Sequence, residues 1–302
     1  MDTRTKLLVA VAVVAIAVVA GVAYYKLTAG SEPLHIRATT TTSLYQTGLL
    51  DALAGEFRKI NPNVVIDFIP VGTGEALKRA AGGDACLVLV HAPSLERTYM
   101  SDGVIEYQKI FAYNYFIIVG PSSDPAGVGS AKSAIEAFQK IYAAGEAGKA
   151  LFISRGDNSG THVKELELWR KAGLNPEGKQ WYIEAGQGMG QTLVMSDERG
   201  AYTLSDIGTY LKYKKEGRIP SIKELFSGDE NLINIYSAYL VSSCGGRERD
   251  MAKAFIDFIA GSKGQELIRS FGVQEYGGSL FYPASDKLAE LAATWQKIAE
   301  GG

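Results

Sequence analysis

The chain has 302 residues, of which 46% are hydrophobic and 21% charged, an ordinary composition for a globular protein with a buried core. This length fits one large or two medium domains. With 31 basic and 33 acidic residues the net charge is −2, so no overall field attracts nucleic acid, and no nucleic-acid partner is expected. Any affinity for anions must come from a local site.

The N-terminus differs in character from the rest. Arg4 and Lys6 precede an uninterrupted apolar stretch, Leu7–Tyr25, whose length is close to the roughly 20 residues that span a bilayer. The positive flank predicts a cytoplasmic start and an extracytoplasmic remainder. We predict that residues 1–33 are a retained membrane anchor and linker. Cleavage after Ala23, which would give a secreted or periplasmic protein, is the alternative.

The two cysteines, Cys86 and Cys244, lie in no CxxC spacing and beside no histidine cluster. This argues against a structural metal site or a redox motif, so no metal is predicted. An extracytoplasmic location permits a disulfide between them, and two buried free thiols are the alternative.

From residue 34 onward, short apolar strands alternate with helical patterns, which predicts an α/β fold with mainly parallel sheets. The first part predicts strands at 35–38, 64–71 and 86–90, helices at 46–60 and 75–81, and a further helix after Pro93. Each strand leads through a polar loop into a helix. These loops are Thr39–Ser43, Gly72–Gly74 and His91–Pro93.

A long strand at 111–119 and the polar loop after it indicate a crossing into a second α/β unit. There the patterns predict strands at 151–153, 181–184 and 201–204 and helices at 131–144, 163–171, 192–199 and 206–215. A second long strand at 232–242 crosses back, and helices at 247–260, 265–271 and 287–299 follow. We therefore predict lobe I from residues 34–118 with 236–302, and lobe II from 119–235.

The segment Ser154–Thr161 forms a strand–loop–helix corner. Such a corner directs free N–H groups and the positive end of a helix dipole at one point, and Arg155 adds a cation with two parallel donors. The combination favours an anion. The alternative is an ordinary helix start, in which Ser159 or Thr161 caps the helix and Arg155 forms a surface ion pair.

Two other corners are rich in donors. Four threonines and a serine, Thr39–Ser43, follow the first strand, although a strand end with a single helix cap would also explain them. The Gly72–Gly74 turn alone is weak evidence for a ligand site, since many βα turns use glycine. Ligands bind at the carboxyl ends of parallel strands, so two facing lobes would gather these loops around one cleft. Hydroxyls, amides and one guanidinium suit a small oxyanion.

The chain resembles the tungstate-binding proteins of ABC importers, which belong to the class II periplasmic-type solute-binding proteins. The resemblance covers nearly everything after the N-terminal segment. Its motifs are Thr40–Ser43 with Gly48–Leu50, Val71–Gly74, Leu89–Pro93, Ser154–Trp169, Gly186–Gly190, Ala201–Leu204 and Phe281–Pro283.

The resemblance implies a two-lobed periplasmic-binding-protein-like fold with two crossing strands and a ligand cleft between the lobes. It also implies a binding protein that captures tungstate and delivers it to a membrane permease. We further expect a monomer without a cofactor. Molybdate or another tetrahedral oxyanion is the alternative ligand. The ligand-binding residues carried over by position are Thr40, Thr41, Thr42, Ser43, Thr73, Gly74, Arg155, Ser159, Gly160 and Thr161, with His91 and Gly188 in a second rank.

Three residues depart from the family pattern: Gln46 and Asn158 stand where acidic residues are expected, and Cys86 replaces a usual Asp. A disulfide from Cys86 to Cys244 would therefore belong to this chain rather than to the family. We expect Asp157 to orient Arg155 or cap the helix rather than touch an anion, because two negative groups repel each other in a desolvated cleft.

His91 stands where phosphate-binding relatives place a carboxylate, which accepts the proton of a protonated phosphate. Tungstate has no such proton, so a neutral histidine suits it better than an ionised carboxylate. The alternative is a histidine that only supports the turn before Pro93. We expect Trp169 and Trp181 to pack in the core.

The sequence gives little support to an enzyme. GxSxG, Walker A, HExxH and GxGxxG motifs are absent, and the chain has only three histidines. We therefore predict a binding protein. A phosphoester hydrolase that uses the same oxyanion pocket, and a membrane-tethered sensory module, are the alternatives.

Overall fold

The structure is a computed structural model that describes Asp2 and residues 32–301. The predicted anchor, Leu7–Tyr25, lies outside the described residues. Within the described part of the chain, no helix is long and apolar enough to cross a membrane. Residues His35–Gly302 form one compact unit.

Helices and strands alternate along the first half of this unit and again along the second. The strands are β1 (Leu34–Thr41), β2 (Val64–Val71), β3 (Leu87–Val90), β4 (Ile105–Pro121), β5 (Phe152–Ser154), β6 (Tyr182–Glu184), β7 (Thr203–Asp206), β8 (Ile222–Phe226), β9 (Ile233–Val241) and β10 (Tyr282–Pro283). The helices are α1 (Thr42–Gln46), α2 (Leu49–Ile60), α3 (Thr73–Ala81), α4 (Pro93–Ser101), α5 (Ala134–Glu146), α6 (Gly160–Lys171), α7 (Met189–Arg199), α8 (Ile207–Lys215), α9 (Gly246–Ala260), α10 (Ser262–Ser270), α11 (Val273–Tyr276) and α12 (Leu288–Ala299).

The first corner differs from its prediction. The expected loop Thr39–Ser43 is the end of β1 followed directly by α1, and the expected helix 46–60 is divided into α1 and α2. Gly48 separates the two helices because its φ of 85° lies in the left-handed region, which a helix cannot contain. The Thr47 hydroxyl supports the break by donating to the Leu44 carbonyl and accepting from the Leu49 amide.

The central sheet has the order β10-β4-β9-β3-β1-β2, and β7 and β8 also pair with β4. The prediction of mainly parallel sheets was wrong in this detail. Parallel pairing joins β1 to β3 and β5 to β6, whereas β9 pairs antiparallel with β3 and β4, and β4 pairs antiparallel with β7, β8 and β10. The reason is that the two long strands run in opposite directions and supply most of the ladder.

Strand β4 links the two halves of the molecule. Its residues Ile105–Tyr115 pair with β9, and from Phe116 onward it pairs with β7 and β8. The change of partners lies close to the boundary predicted after residue 118. The strand also begins earlier than expected, because Tyr107 has a φ of 53° and the register shifts beside it, which interrupts the sequence pattern.

The second half has a core of its own, which is rich in aromatic rings. Trp169 is 1% exposed and packs edge-on against Phe138 at 4.4 Å and Phe152 at 5.4 Å between ring centroids. Trp181 is 6% exposed and belongs to the same cluster. The prediction that both tryptophans pack in the core is confirmed.

Cys86 and Cys244 form a disulfide, with their Cα atoms 5.0 Å apart. The bridge is possible because β3 and β9 are neighbours in the sheet, so the residues at their ends meet. Of the two alternatives left open by the sequence, the disulfide is the one found. Glu248 lies beside the two sulfurs, but both thiols are consumed by the bridge, so this group is not a metal site.

Candidate functional site

The first corner places four of the predicted residues at the carboxyl end of β1. Thr41 caps α1, since its Oγ1 accepts from the Leu44 amide at 3.3 Å. Ser43 is fully buried in the first turn, and its Oγ lies 3.4 Å from Thr41 Oγ1. Thr40 is also fully buried, but side chains alternate along a strand, so it faces the side opposite to Thr41.

The glycine-rich turn after β2 lies directly against the corner after β5. The Gly74 amide donates to the Asn158 carbonyl at 3.1 Å. A Cβ on Gly74 would lie 2.2 Å from Asn158 Nδ2, and one on Gly72 would lie 2.9 Å from the Asp157 carbonyl. Close approach to the Asp157 backbone therefore requires Gly72, whereas a side chain at Gly74 would displace the Asn158 amide. Between them, Thr73 is fully buried at the start of α3.

The corner after β5 has the predicted strand–loop–helix form. Ser159 caps α6, since its Oγ accepts from the His162 amide at 3.2 Å. Asp157 behaves as expected: one carboxylate oxygen accepts from the Arg155 guanidinium at 2.5 Å and the other from the Ser159 amide at 3.2 Å. The first N–H groups of α6, at Gly160 and Thr161, precede any intrahelical partner and point out of its N-terminus.

Arg155 is buried to 1% exposure, so the alternative of a surface ion pair was wrong. Its Nη2 donates to Thr42 Oγ1 at 3.1 Å as well as to Asp157, and its Nε donates to the Gln187 carbonyl at 3.4 Å. Burial lowers the pKa of the guanidinium, and the Asp157 carboxylate opposes that shift. The guanidinium nevertheless remains charged, because arginine is not deprotonated in proteins. Arg155 thus bridges the two corners as a fixed cation.

Further contacts between the two sides are tight. A Cβ on Gly160 would lie 2.6 Å from the ring of His91, and one on Gly188 would lie 3.3 Å from Thr42 Oγ1. Gly188 also precedes α7 as its N-cap residue. The corners predicted from separate stretches of sequence are therefore brought together around one cleft, which has Thr42 and His91 on one side and Arg155 and Gly160 on the other.

His91 is 3% exposed. Its Nε2 lies 3.4 Å from Ser43 Oγ, and its Nδ1 lies 2.9 Å from Asn234 Oδ1. Burial, followed by the nearby charge of Arg155, lowers the pKa of His91 to about 3. The ring is therefore uncharged at neutral pH, as the sequence argument expected of a cleft residue.

Several buried polar atoms of these corners have no hydrogen-bond partner in the described part of the protein. They include Thr40 Oγ1, Thr73 Oγ1, Arg155 Nη1 and Thr161 Oγ1. A buried polar group without a partner costs about 1–3 kcal/mol, and native proteins contain few of them. Three of these atoms, on Thr73, Arg155 and Thr161, belong to corners in contact with one another, and free hydroxyl and guanidinium donors are what an oxyanion requires.

Sequence reasoning missed two parts of this site. Asn114 and Asn234 lie on the crossing strands and carry a buried hydrogen-bond network to His91. Asp206 caps α8 through the amide and hydroxyl of Thr209 and is fully buried, close enough to interact with Arg155. The available signal for the network was an asparagine flanked by apolar or aromatic residues in each of the two long strands. Asp206 offered no signal beyond its position before a helix.

Comparison with known proteins places this geometry in context. Residues 27–263 match the model of the PBP superfamily domain. The tungstate-binding protein TupA of Peptoclostridium acidaminophilum is 40% identical over 252 residues, which cover 82% of this chain and 85% of that protein. The chain belongs to this family of solute-binding proteins. The interpretation as a binding protein rather than an enzyme is thereby confirmed.

Solved structures agree with this assignment. The structure described as the tungstate ABC transporter from Geobacter sulfurreducens is 44% identical with a TM-score of 0.70, and the alignment covers 78% of this chain and 98% of that one. The tungstate-binding protein TupA from Desulfovibrio alaskensis G20 is 39% identical with a TM-score of 0.68, covering 83% and 98%. The periplasmic-binding-protein-like fold predicted from the sequence is confirmed. Proteins of this family work outside the cytoplasm.

Proposed function

We propose that this chain binds one tungstate ion in the cleft between its two halves and delivers it to the permease of an ABC importer. The free donors of the cleft carry the proposal. Thr73 Oγ1, Arg155 Nη1 and Thr161 Oγ1 are buried and have no partner among the described residues, and they belong to corners that touch one another. A tetrahedral oxyanion would accept from all three.

The charge of the cleft suits an anion without a metal. Arg155 supplies the cation, and the N-terminus of α6 adds its partial positive charge. Both oxygens of the nearest carboxylate, Asp157, already accept hydrogen bonds from the protein. Charge-assisted bonds in a site removed from water are about twice as strong as neutral ones, so these few donors are sufficient for tight binding.

The residues proposed to form the site are those predicted from the sequence, and their roles, which differ, follow from their contacts. Arg155 and Thr161 supply side-chain donors from one side and Thr73 from the other, while Gly74, Gly160 and Gly188 permit close approach of the backbones. Thr41 and Ser159 cap the two helices that point at the cleft. Thr42 and Ser43 line the first side, and Thr40 stands behind it.

The preference for tungstate over molybdate rests on the names of the relatives, because the two ions have nearly the same size and charge. Molybdate is the second ligand that the same donors would hold.

We further propose that the chain is a monomer, that its lobes comprise residues 34–118 with 236–302 and residues 119–235, and that Leu7–Tyr25 tethers it to the membrane.

Titration calorimetry of the purified chain tests this function. We expect saturable binding of one tungstate per chain, competition by molybdate, and little heat with sulfate or phosphate. Competition between tungstate and molybdate in one titration ranks the two ions. Absence of binding by both would contradict the proposal.

A further inference from the structure

A chain of buried hydrogen bonds runs from the cleft to a backbone carbonyl on the other side of the crossing strands. Ser43 Oγ lies 3.4 Å from His91 Nε2, and His91 Nδ1 lies 2.9 Å from Asn234 Oδ1. Asn234 Nδ2 donates to Asn114 Oδ1 at 2.9 Å, and Asn114 Nδ2 donates to the Leu280 carbonyl at 3.1 Å. The four side chains are at most 3% exposed, so water does not compete for these bonds.

The carbonyl at the end of this hydrogen-bond network fixes the direction of each bond in the network. The Leu280 carbonyl can only accept, so the amide nitrogen of Asn114 must face it and the Asn114 oxygen must face Asn234. That oxygen requires a donor, so the nitrogen of Asn234 faces Asn114, and it also donates to the Tyr236 hydroxyl at 2.8 Å. The oxygen of Asn234 is then left for His91. It can only accept, so His91 Nδ1 carries a proton.

The protonation state of the other ring nitrogen, Nε2, follows from the charge of His91. Its side chain is desolvated, and the groups whose charges act on it are Arg155, which disfavours protonation, and Asp157, which favours it. The centroid of the His91 ring lies 4.8 Å from that of the Tyr236 ring, and Gly160 also packs against the His91 ring. An uncharged imidazole has one proton, and Nδ1 holds it, so Nε2 has a lone pair and can only accept. Ser43 is the hydroxyl beside it.

We propose that His91 is a positioning residue of the oxyanion cleft: its unprotonated Nε2 accepts the Ser43 hydroxyl proton and thereby fixes the Ser43 side chain in the first turn of α1. Ser43 then orders the cleft wall instead of donating to the anion. The anion is held by Thr73, Arg155, Thr161 and the N-terminus of α6. The inference rests on the proposed function for its effect on affinity, whereas the tautomer of His91 is independent of the ligand.

Nitrogen NMR of the chain with ¹⁵N-labelled histidine tests the tautomer directly. Three histidine rings contribute, and the His91→Gln variant identifies the signals of His91. We expect a protonated Nδ1 and an unprotonated Nε2 at neutral pH. Ser43→Ala should shift the Nε2 signal and leave the Nδ1 signal nearly unchanged. A proton on Nε2, alone or together with one on Nδ1, would overturn the proposal.

A double-mutant cycle on tungstate affinity tests the positioning role. His91→Asn keeps a donor for Asn234 but loses the acceptor at Nε2, and we expect affinity to fall about two- to tenfold, as for the loss of one neutral hydrogen bond. In the Ser43→Ala background the same change should have no further effect. His91→Gln, whose amide reaches the position of Nε2, should restore most of the affinity.

The exposed His35, which pairs with Asp67, is the matched control, and His35→Asn should leave affinity unchanged. Additive effects of Ser43→Ala and His91→Asn would contradict the coupling. If the wild-type chain binds neither tungstate nor molybdate, the proposed function fails, but the NMR measurement still decides the tautomer and the Ser43 contact.

Discussion

The two sides of the cleft use different chemistry. On the first side, Ser43 and His91 are uncharged and already bonded to protein groups. On the second side, the buried guanidinium of Arg155 is paired with Asp157, but its Nη1 and the Thr161 hydroxyl have no hydrogen-bond partner among residues 32–301. The difference indicates a division of roles, in which the second side supplies most of the attraction and the first side supplies shape. Substitutions of the charged and hydroxyl donors should therefore weaken tungstate binding, whereas substitutions of the buried groups behind them should change stability alone.

Arg155→Ala should have the largest effect. It removes a charged donor and also leaves the Asp157 carboxylate without its partner in a desolvated cleft. A hydrogen bond to a charged group contributes about 1.5–3 kcal/mol, so calorimetry should show affinity reduced by at least about ten- to a hundredfold. The double variant Arg155→Ala/Asp157→Asn should recover part of the loss. Arg97→Ala, at an exposed ion pair with Glu300, is the control, and equal affinities of all these proteins would remove Arg155 from the site.

Gly160→Ala should weaken binding by obstructing the approach of the two sides. The new Cβ would lie 2.6 Å from the His91 ring and 2.9 Å from its carbonyl oxygen. Overpacking of this kind costs about 1–3 kcal/mol, which corresponds to roughly five- to a hundredfold in affinity. Gly55→Ala in α2 is a matched control, because a Cβ there has nothing within 4 Å. Identical tungstate titrations for the two variants would show that the close approach is not needed for binding.

Thr161→Val separates binding from stability. The two side chains have the same shape, and the lost hydroxyl is buried without a partner among the described residues, so the thermal midpoint of the ligand-free protein should stay the same or rise. Tungstate affinity should fall about tenfold, because the anion loses one donor. Thr98→Val, at an exposed hydroxyl of α4, should change neither property. An unaltered tungstate affinity in Thr161→Val would place this hydroxyl outside the site.

The buried carboxyl groups behind the two sides should affect stability and leave affinity unchanged. Glu96 accepts from the Ala92 amide after His91, and Glu165 accepts from Ser154 before Arg155. Burial raises the pKa of each to about 7. Between about pH 4.5, the pKa of these groups in the unfolded state, and about pH 7, the folded state therefore holds a proton on each group that the unfolded state has released. The resulting contribution to the free energy of unfolding is complete below about pH 4.5 and is lost as pH rises through 7.

Glu165→Gln removes one of these titrations. The free energy of unfolding of the wild type, relative to this variant, should fall with a slope approaching about 1.4 kcal/mol per pH unit between these two pKa values. Denaturant unfolding at about pH 5 and about pH 8 measures it. Glu96→Gln should show the same trend from the first side. A difference between wild type and variant that does not change with pH would contradict the raised pKa.

The sequence was more informative about the second side of the cleft than about the first. Arg155 combines a cation with a helix N-terminus within one short stretch of sequence, and the prediction that Asp157 orients Arg155 is confirmed. The role of His91 depends on Asn114 and Asn234, which approach it only through the pairing of two distant strands. The local pattern marks the two asparagines, but it carries no information about which distant side chains they approach.

A similar limit applied to the fold. Buried apolar runs and helical periodicity predicted most elements and the two crossings of the chain. The antiparallel pairing of β4 with β7 and β8 was not predicted, because strand direction is decided by the packing of separate segments. The break at Gly48 was missed for another reason: glycine is tolerated within a helical pattern, and only its φ reveals the interruption.

The location of the bound ion tests the central claim most directly. Crystals of the chain grown with tungstate, measured at a tungsten absorption edge, would show the metal by its anomalous scattering. We predict one tungsten peak per chain between Arg155, Thr73 and Thr161, with an anion oxygen about 2.7–2.9 Å from Arg155 Nη1. A peak elsewhere on the protein, or an ordered cleft without tungsten at saturating concentration, would contradict this account.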